Sequence, residues 1–269
     1  MKLLHISDLH YRMQYKSSNK AFAYDSIFQN MVPPMQQLDV CLQKMGERER
    51  KQLSAVLISG DMTEYGTEED YRQLHIEIKK RFPDIPVIVT LGNHDERLAF
   101  QKGWLGREAA KDEPYCGIQR LDSVSILSMD NSYPGSADGK IGRYQCDWLK
   151  NALQSEKGQT ILLMTHHHLL PHQADFPSCE IMEEFNEILR KSSISMIFCG
   201  HTHQLYRGFY ENLPYRTAMS LSFVGEDQKQ KVCMRESCGY SLYEFDNGIL
   251  TRERHEALGT QEILGYVKF

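Results

Sequence analysis

A chain of 269 residues, 41% hydrophobic and 25% charged, has the make-up of an ordinary soluble globular protein with room for one large domain or two small ones. No apolar run approaches the roughly 20 residues that span a bilayer, and residues 1–8 lack the apolar core and cleavage site of a secretory signal. Net charge is −5, and the one basic cluster that stands out, Lys79-Lys80-Arg81, sits at an apparent helix end where cations complement the helix dipole, so no nucleic-acid footprint is evident.

Residues 1–6 read as a short buried strand ending in Ser7-Asp8-Leu9-His10. The spacing of Phe28, Met31, Met35, Leu38, Leu42 and Met45 predicts helix on both sides of a break at Pro33-Pro34. Residues 55–58 form the next strand, which enters the polar turn Ser59-Gly60-Asp61. Thr67, followed by Glu68, Glu69 and Asp70, is a helix cap with an acidic first turn, and Tyr71, Leu74, Ile78 and Phe82 supply the apolar stripe. Residues 85–90 run into Leu91-Gly92-Asn93-His94-Asp95-Glu96. Strand, helix, strand, helix, strand predicts a parallel α/β core.

Residues 97–118 lack a clear period and read as helix and loop lying over the strand ends. Residues 123–129 are a strand and 142–153 a helix. The strand at 160–164 ends in Thr165-His166-His167-His168, and the strand at 195–199, after a helix at 181–190, ends in Gly200-His201-Thr202-His203. Beyond it, 205–210, 215–224 and 240–245 read as strands, the last closed by Asn247-Gly248, and this shift to strands predicts a second sheet. With no repeat or linker, the chain is expected to be a single domain, 1–269, least defined from about 244 onward. Seven cysteines, an odd number without CxxC spacing, are expected as reduced thiols in a cytoplasmic protein, with Cys233 and Cys238 the pair nearest in sequence.

Five predicted strand ends thus carry Asp8 and His10, Asp61, Asn93 and His94, a histidine from 166–168, and His201 and His203. Seven of the eleven histidines fall in these turns. The carboxyl ends of parallel strands share an edge, which lets these side chains converge. In an extended segment, D-x-H and H-x-H spacing puts both ligands on one side. Carboxylate, imidazole and amide oxygen without thiolate suit Mn²⁺, Fe²⁺, Co²⁺, Ni²⁺ or Zn²⁺. Seven such ligands are too many for one catalytic ion with an open position. Two ions about 3.5–4 Å apart, bridged by a carboxylate, would use them all, lower the pKa of a bridging water and clamp a phosphoryl group.

The blocks Asp8-Leu9-His10, Gly60-Asp61, Gly92-Asn93-His94-Asp95, the 166–168 histidines and Gly200-His201-Thr202-His203, in this order, resemble the calcineurin-like metallophosphoesterases. The resemblance covers residues 1 to about 243. It implies a two-sheet β-sandwich flanked by helices (α/β/β/α) with a dimetal site at the strand ends, holding Mn²⁺, Fe²⁺/Fe³⁺ or Zn²⁺. Carried over, Asp8, His10 and His203 hold the first ion. Asn93, His201 and one histidine of the run hold the second, and Asp61 bridges. His167 is preferred over His166, although Leu169 stands where relatives have proline. His94 contacts the phosphate or protonates the leaving oxygen, oriented by Asp95.

Gly60-Asp61-Met62-Thr63 with Gly66, Thr67 and Tyr71, and Arg97 after Gly92-Asn93-His94-Asp95, are similar to the bacterial class III cyclic-nucleotide phosphodiesterases. That similarity implies hydrolysis of small phosphodiesters, cyclic nucleotides among them, by a metal-bridging hydroxide. Neither nucleic acid nor membrane is an expected partner. The alternatives are a phosphomonoesterase or nucleotide-sugar pyrophosphatase on the same scaffold, or a metal-binding protein with vestigial catalysis. Arg97 reads either as a bidentate phosphate ligand or as a surface arginine paired with Glu96 or Glu108.

Overall fold

Alternation along single strands builds the layers. In Ala55–Ser59, Val56 and Ile58 pack with Leu38, Leu42, Leu74 and Ile78 of the helices Pro34–Met45 and Glu68–Arg81. Ala55 and Leu57 face the other way, into a cluster with Val124, Ile126, Leu162, Met164, Met196 and Phe198. These strands are buried on both faces, which explains their continuous hydrophobic runs. The computed structural model describes residues 1–13, 25–108, 112–173, 179–228 and 231–267.

The first sheet has the order Ile249–Ala257, Gly239–Asp246, Lys2–Ile6, Ala55–Ser59, Val87–Thr90; its last three strands are parallel. The second has the order Tyr206–Tyr210, Leu213–Thr217, Ile194–Cys199, Thr160–Met164, Val124–Met129, Cys116–Leu121, with a parallel centre and an antiparallel partner on each edge. Helices Arg143–Ser155 and Glu183–Lys191 cover the second sheet through Leu149, Phe185 and Leu189. Two packed sheets with helices on both outer faces make the expected α/β/β/α sandwich. Thr67 caps its helix, accepting from the Asp70 amide at 3.1 Å. No helix among the described residues is long and apolar enough to cross a membrane.

Three expectations are corrected. The strand predicted at 240–245 does not belong to a second sheet: Gly239–Asp246 lies in the first, antiparallel to Lys2–Ile6, and Ile249–Ala257 extends it. Burial of Leu242 and Tyr243 on opposite faces drives that pairing, a contact far apart in sequence that no local pattern encodes. The strand predicted at 215–224 is two, Leu213–Thr217 and Phe223–Asp227. The second joins Val232–Glu236 and Ile263–Val267 in a small sheet against Ile27, Phe28 and Met31. Within 97–118, a helix, Arg97–Gly103, is followed by a strand, Cys116–Leu121, whose weak alternation reflects its exposed edge position. All seven cysteines are free, and the sulfur beside Cys238 is that of Cys41, 3.5 Å away.

Candidate metal centre

The carboxyl ends of the parallel strands from both sheets meet at one rim, and hydrogen bonds between the turns hold them together. The Asp8 amide donates to the Gly60 carbonyl at 3.1 Å, His10 N to Asp61 O at 3.0 Å, and Gly200 N to His166 O at 2.9 Å. The backbone here is not extended, as the spacing argument assumed. Asp8, His10, Asp61, His201 and His203 all have φ between 45° and 67°. Left-handed backbone at a non-glycine residue costs on the order of 1–3 kcal/mol and persists only where surroundings hold it. Five such residues in three turns, all polar, mark this rim as built for something other than stability.

The structure brings together Asp8, His10, Asp61, Asn93, His201 and His203. His203 Nε2 lies 3.3 Å from Asp8 Oδ1 and 3.3 Å from His10 Nε2. Asn93 Oδ1 lies 3.1 Å from His201 Nδ1 and 3.3 Å from His166 Nε2. Asp61 Oδ2 sits between the two groups, 3.7 Å from His10 Nε2 and 3.5 Å from His166 Nε2.

The donor atoms fit cations. His203 Nδ1 is 2.5 Å from the Phe223 carbonyl, which only accepts, so Nδ1 carries the proton and Nε2 of the neutral ring is bare. His10 Nδ1 faces the Glu64 carboxylate at 2.7 Å and leaves its Nε2 bare in the same way. Two lone pairs 3.3 Å apart beside two carboxylates are stable around a positive charge. His166 Nδ1 likewise meets the Ser59 carbonyl at 2.7 Å; burial lowers this imidazole, but the Asp61 carboxylate beside it outweighs burial and raises it to about 9, so a cation at Nε2 would displace a proton.

Burial pushes the His10 imidazole down and His201 down to about 3, so both favour the neutral form that ligates metal. Burial alone would raise the Asp61 carboxyl, but the imidazoles of His166, His94 and His10 overcome it and hold it well below the usual carboxylate range.

At the histidine run, His166, His167 and His201 together form one group of donors close enough to hold a cation. His166 is the ring whose Nε2 faces Asp61 and Asn93. His167 Nε2 instead faces the Ala137 carbonyl at 3.1 Å. His168 is buried and stacks on His201, ring centroids 5.6 Å apart.

Asp95 also differs. Its carboxylate accepts from the Met62, Thr63 and Gly92 amides at 3.1, 3.2 and 2.9 Å and from the Tyr71 hydroxyl at 2.7 Å. It joins the Asp61 turn to the Asn93 turn. Burial, then the Asp61 charge, raises it to about 6. The acid beside the His94 ring is Glu64, whose carbonyl oxygen is 3.2 Å and whose carboxylate is 3.6 Å from Nδ1. Glu64 therefore touches both His10 and His94. It was not singled out from the sequence, although it stands three residues after Asp61 in the same motif.

Arg97 is not the surface arginine of the second reading, and it lines the cleft beside Asn93. It is buried, with Nε 2.8 Å from Asp130 and a terminal nitrogen 2.8 Å from the Ser132 carbonyl. Asn131, also missed, accepts from both the His166 and His167 amides at 3.1 Å.

Four layers and a rim of acids, amide and imidazoles define the metallophosphoesterase class of fold. The chain belongs to the calcineurin-like phosphoesterase family, whose model matches residues 1–205. A protein of Rhodococcus erythropolis named "probable cyclic nucleotide phosphodiesterase" is 29% identical over 175 residues, 63% of this chain and 58% of its own length. The match thus spans less than two thirds of that relative. The glycerophosphodiester phosphodiesterase GpdQ of Enterobacter lignolyticus is 29% identical over 222 residues, 76% of this chain and 72% of its own. Among solved structures, the purple acid phosphatase PPD1 of yellow lupin is similar in fold, with a TM-score of 0.59 at 12% identity, over 99% of this chain and 53% of the other.

Proposed function

We propose that this chain is a dimetal phosphodiesterase hydrolysing small phosphodiesters, the kind of substrate for which its Rhodococcus and Enterobacter relatives are named. The observation that carries the proposal is Asp61 Oδ2 standing between the His10 and His166 nitrogens, and so between two sets of donors. One ion would be held by Asp8, His10 and His203, the other by Asn93, His166 and His201, with Asp61 shared. Bound there, Mn²⁺, Fe²⁺/Fe³⁺ or Zn²⁺ would supply a nucleophile at neutral pH and neutralise charge on the phosphoryl oxygens.

The remaining chemistry belongs to the chain itself. The leaving alcohol needs a proton as its bond to phosphorus breaks. His94 suits that role: its side chain is 36% exposed beside the buried ligands, and its amide is held by Asp61 Oδ1 at 3.0 Å. Nδ1 faces the Glu64 carbonyl, so Nε2 is the nitrogen that delivers the proton. Burial lowers the His94 pKa, but the Asp61 and Glu64 carboxylates outweigh it and raise the imidazole above its usual value, which favours its protonated form. Glu64 orients both His94 and His10. Asp95 fixes the distance between two ligand turns.

The proposal takes residues 1–269 as one catalytic domain, supported by the return of Gly239–Asp246 to the strand Lys2–Ile6. It places the enzyme in the cytoplasm, a setting that seven free thiols suit. The test is turnover with added Mn²⁺ of bis-p-nitrophenyl phosphate, p-nitrophenyl phosphate, cyclic AMP, a glycerophosphodiester and a nucleoside diphosphate sugar. Diester turnover above monoester turnover is expected. Monoester turnover alone would contradict the proposal.

A further inference from the structure

Cys41, in the helix Pro34–Met45, and Cys238, just before the strand Gly239–Asp246, are both buried, with their sulfurs 3.5 Å apart and their positions 197 residues apart in sequence. Theirs is the one sulfur–sulfur contact among the described residues. The Cys238 thiol donates to the Gln37 carbonyl at 3.6 Å, which leaves Cys41 as the donor within the sulfur pair. That hydrogen bond draws the Cys238 thiol below its ordinary value and, together with burial, raises Cys41. Cys238 is therefore the sulfur that gives up its proton first, as an attacking thiol must.

The surroundings hold the pair opposed and leave a way in. One turn before Cys41, Gln37 donates to the Glu236 carboxylate at 2.5 Å, so the helix is tied to the chain beside Cys238 by a second contact. A disulfide sets its sulfurs about 2.05 Å apart, so closure needs an approach of about 1.5 Å. Against Cys238 lie residues 258–262, which belong to no strand; the Leu258 and Gly259 amides donate to the Cys238 carbonyl at 2.7 and 3.1 Å. Opening a connecting segment costs less than opening a sheet, and it admits an oxidant little larger than water.

We propose that Cys41 and Cys238 form a reversible disulfide on reaction with hydrogen peroxide, locking the segment around Ser237 to the helix Pro34–Met45. The Cys238 thiolate attacks one peroxide oxygen, the O–O bond breaks, and the departing hydroxide takes up a proton to leave as water. The Cys41 sulfur then attacks the Cys238 sulfur of the sulfenic acid, forms the S–S bond and displaces a second water. Two thiols are oxidised, one peroxide is reduced to two waters, and a thiol reductant reverses the bond. The locked segment supports the metal rim: the Ser237 hydroxyl donates to the Ser220 carbonyl at 3.1 Å, and the Ser220 hydroxyl to the Asp8 carbonyl at 2.9 Å. The thiol chemistry itself is independent of the substrate.

The experiment treats the full chain, freed of metal, with stoichiometric hydrogen peroxide and alkylates it after unfolding. Two of the seven thiols are expected to be lost, digestion without reductant should join the peptides carrying Cys41 and Cys238, and dithiothreitol should restore both thiols. Closing so long a loop should raise the melting temperature of the oxidised protein by at least about 5 °C over the reduced. Cys41→Ser and Cys238→Ser should each lose the bridge and this rise together; the peptide map is made on the wild type and stands whether or not a variant folds. Seven thiols remaining, single cysteines oxidised without a bridge, a bridge between other cysteines, or an oxidised wild type that melts no higher than the reduced would each overturn the proposal.

Discussion

His166 Nε2 occupies the space that a methyl group on Gly92 would need: an added Cβ would stand 2.7 Å from that nitrogen and closer still to Asp61 Oδ1. These two candidate ligands come from different sheets, and the glycine lets both close on the turn that presents Asn93. Gly92→Ala is therefore expected to lower metal content and to reduce diesterase activity about 100-fold, with the far-ultraviolet circular dichroism unchanged. Full metal content in that variant would detach the turn from the site.

His166 and His167 are neighbours in sequence but should differ in consequence. His166→Ala removes a proposed ligand and is expected to lose metal and at least about 100-fold in activity. His167→Ala deletes a buried ring that meets the Ala137 carbonyl. It should keep its metal and instead lose about 2–4 kcal/mol of stability, as other large buried side chains do on truncation. Thermal melting and elemental analysis of the two proteins separate the cases. The reverse pattern would make His167 the ligand.

Glu64 reaches His10 at 2.7 Å and the His94 ring at 3.6 Å. Glu64→Gln keeps an oxygen acceptor but removes the charge that favours the His94 imidazolium. A fall in kcat of about 10–100-fold is expected, with KM little changed and metal mostly retained. Partial recovery in Glu64→Asp would support orientation by the carboxylate. A rise in KM at constant kcat would argue against it.

Away from the site, Glu156 is buried and held down to about 2, first by the Arg120 guanidinium and then by the Ser125 hydroxyl. A carboxyl whose folded pKa is depressed adds stability that is present above its unfolded value, here 4.5, and lost as pH falls toward 2. In chelated protein, the melting temperature of the wild type should exceed that of Glu156→Gln at neutral pH. The gap should shrink across that acid window. A constant gap would remove the charge from the account.

The five donor-bearing turns are legible in the sequence because each is a local pattern: an apolar run, then one or two polar donors, in three cases just after a glycine. The stripe of Tyr71, Leu74 and Ile78 and the Thr67 cap are local in the same sense. What escaped is set by contacts between distant segments. The pairing of Gly239–Asp246 with Lys2–Ile6 depends on burial across the whole sheet. Which of three consecutive histidines points at Asp61 depends on how the turn is gripped by Asn131, a residue without any motif of its own. Asp95 and Arg97 carry charges that suggest chemistry, yet both are directed into the scaffold, and only coordinates show where a buried charge finds its partner.

Asp61 is shared by both sets of donors, so metal content of the wild type and of Asp61→Ala, determined by elemental analysis on protein reconstituted with Mn²⁺ and assayed on bis-p-nitrophenyl phosphate, tests the centre most directly. Two ions per chain in the wild type are expected, with loss of metal and collapse of turnover in the variant. An Asp61→Ala protein that still holds two ions and still cleaves the diester would contradict the account.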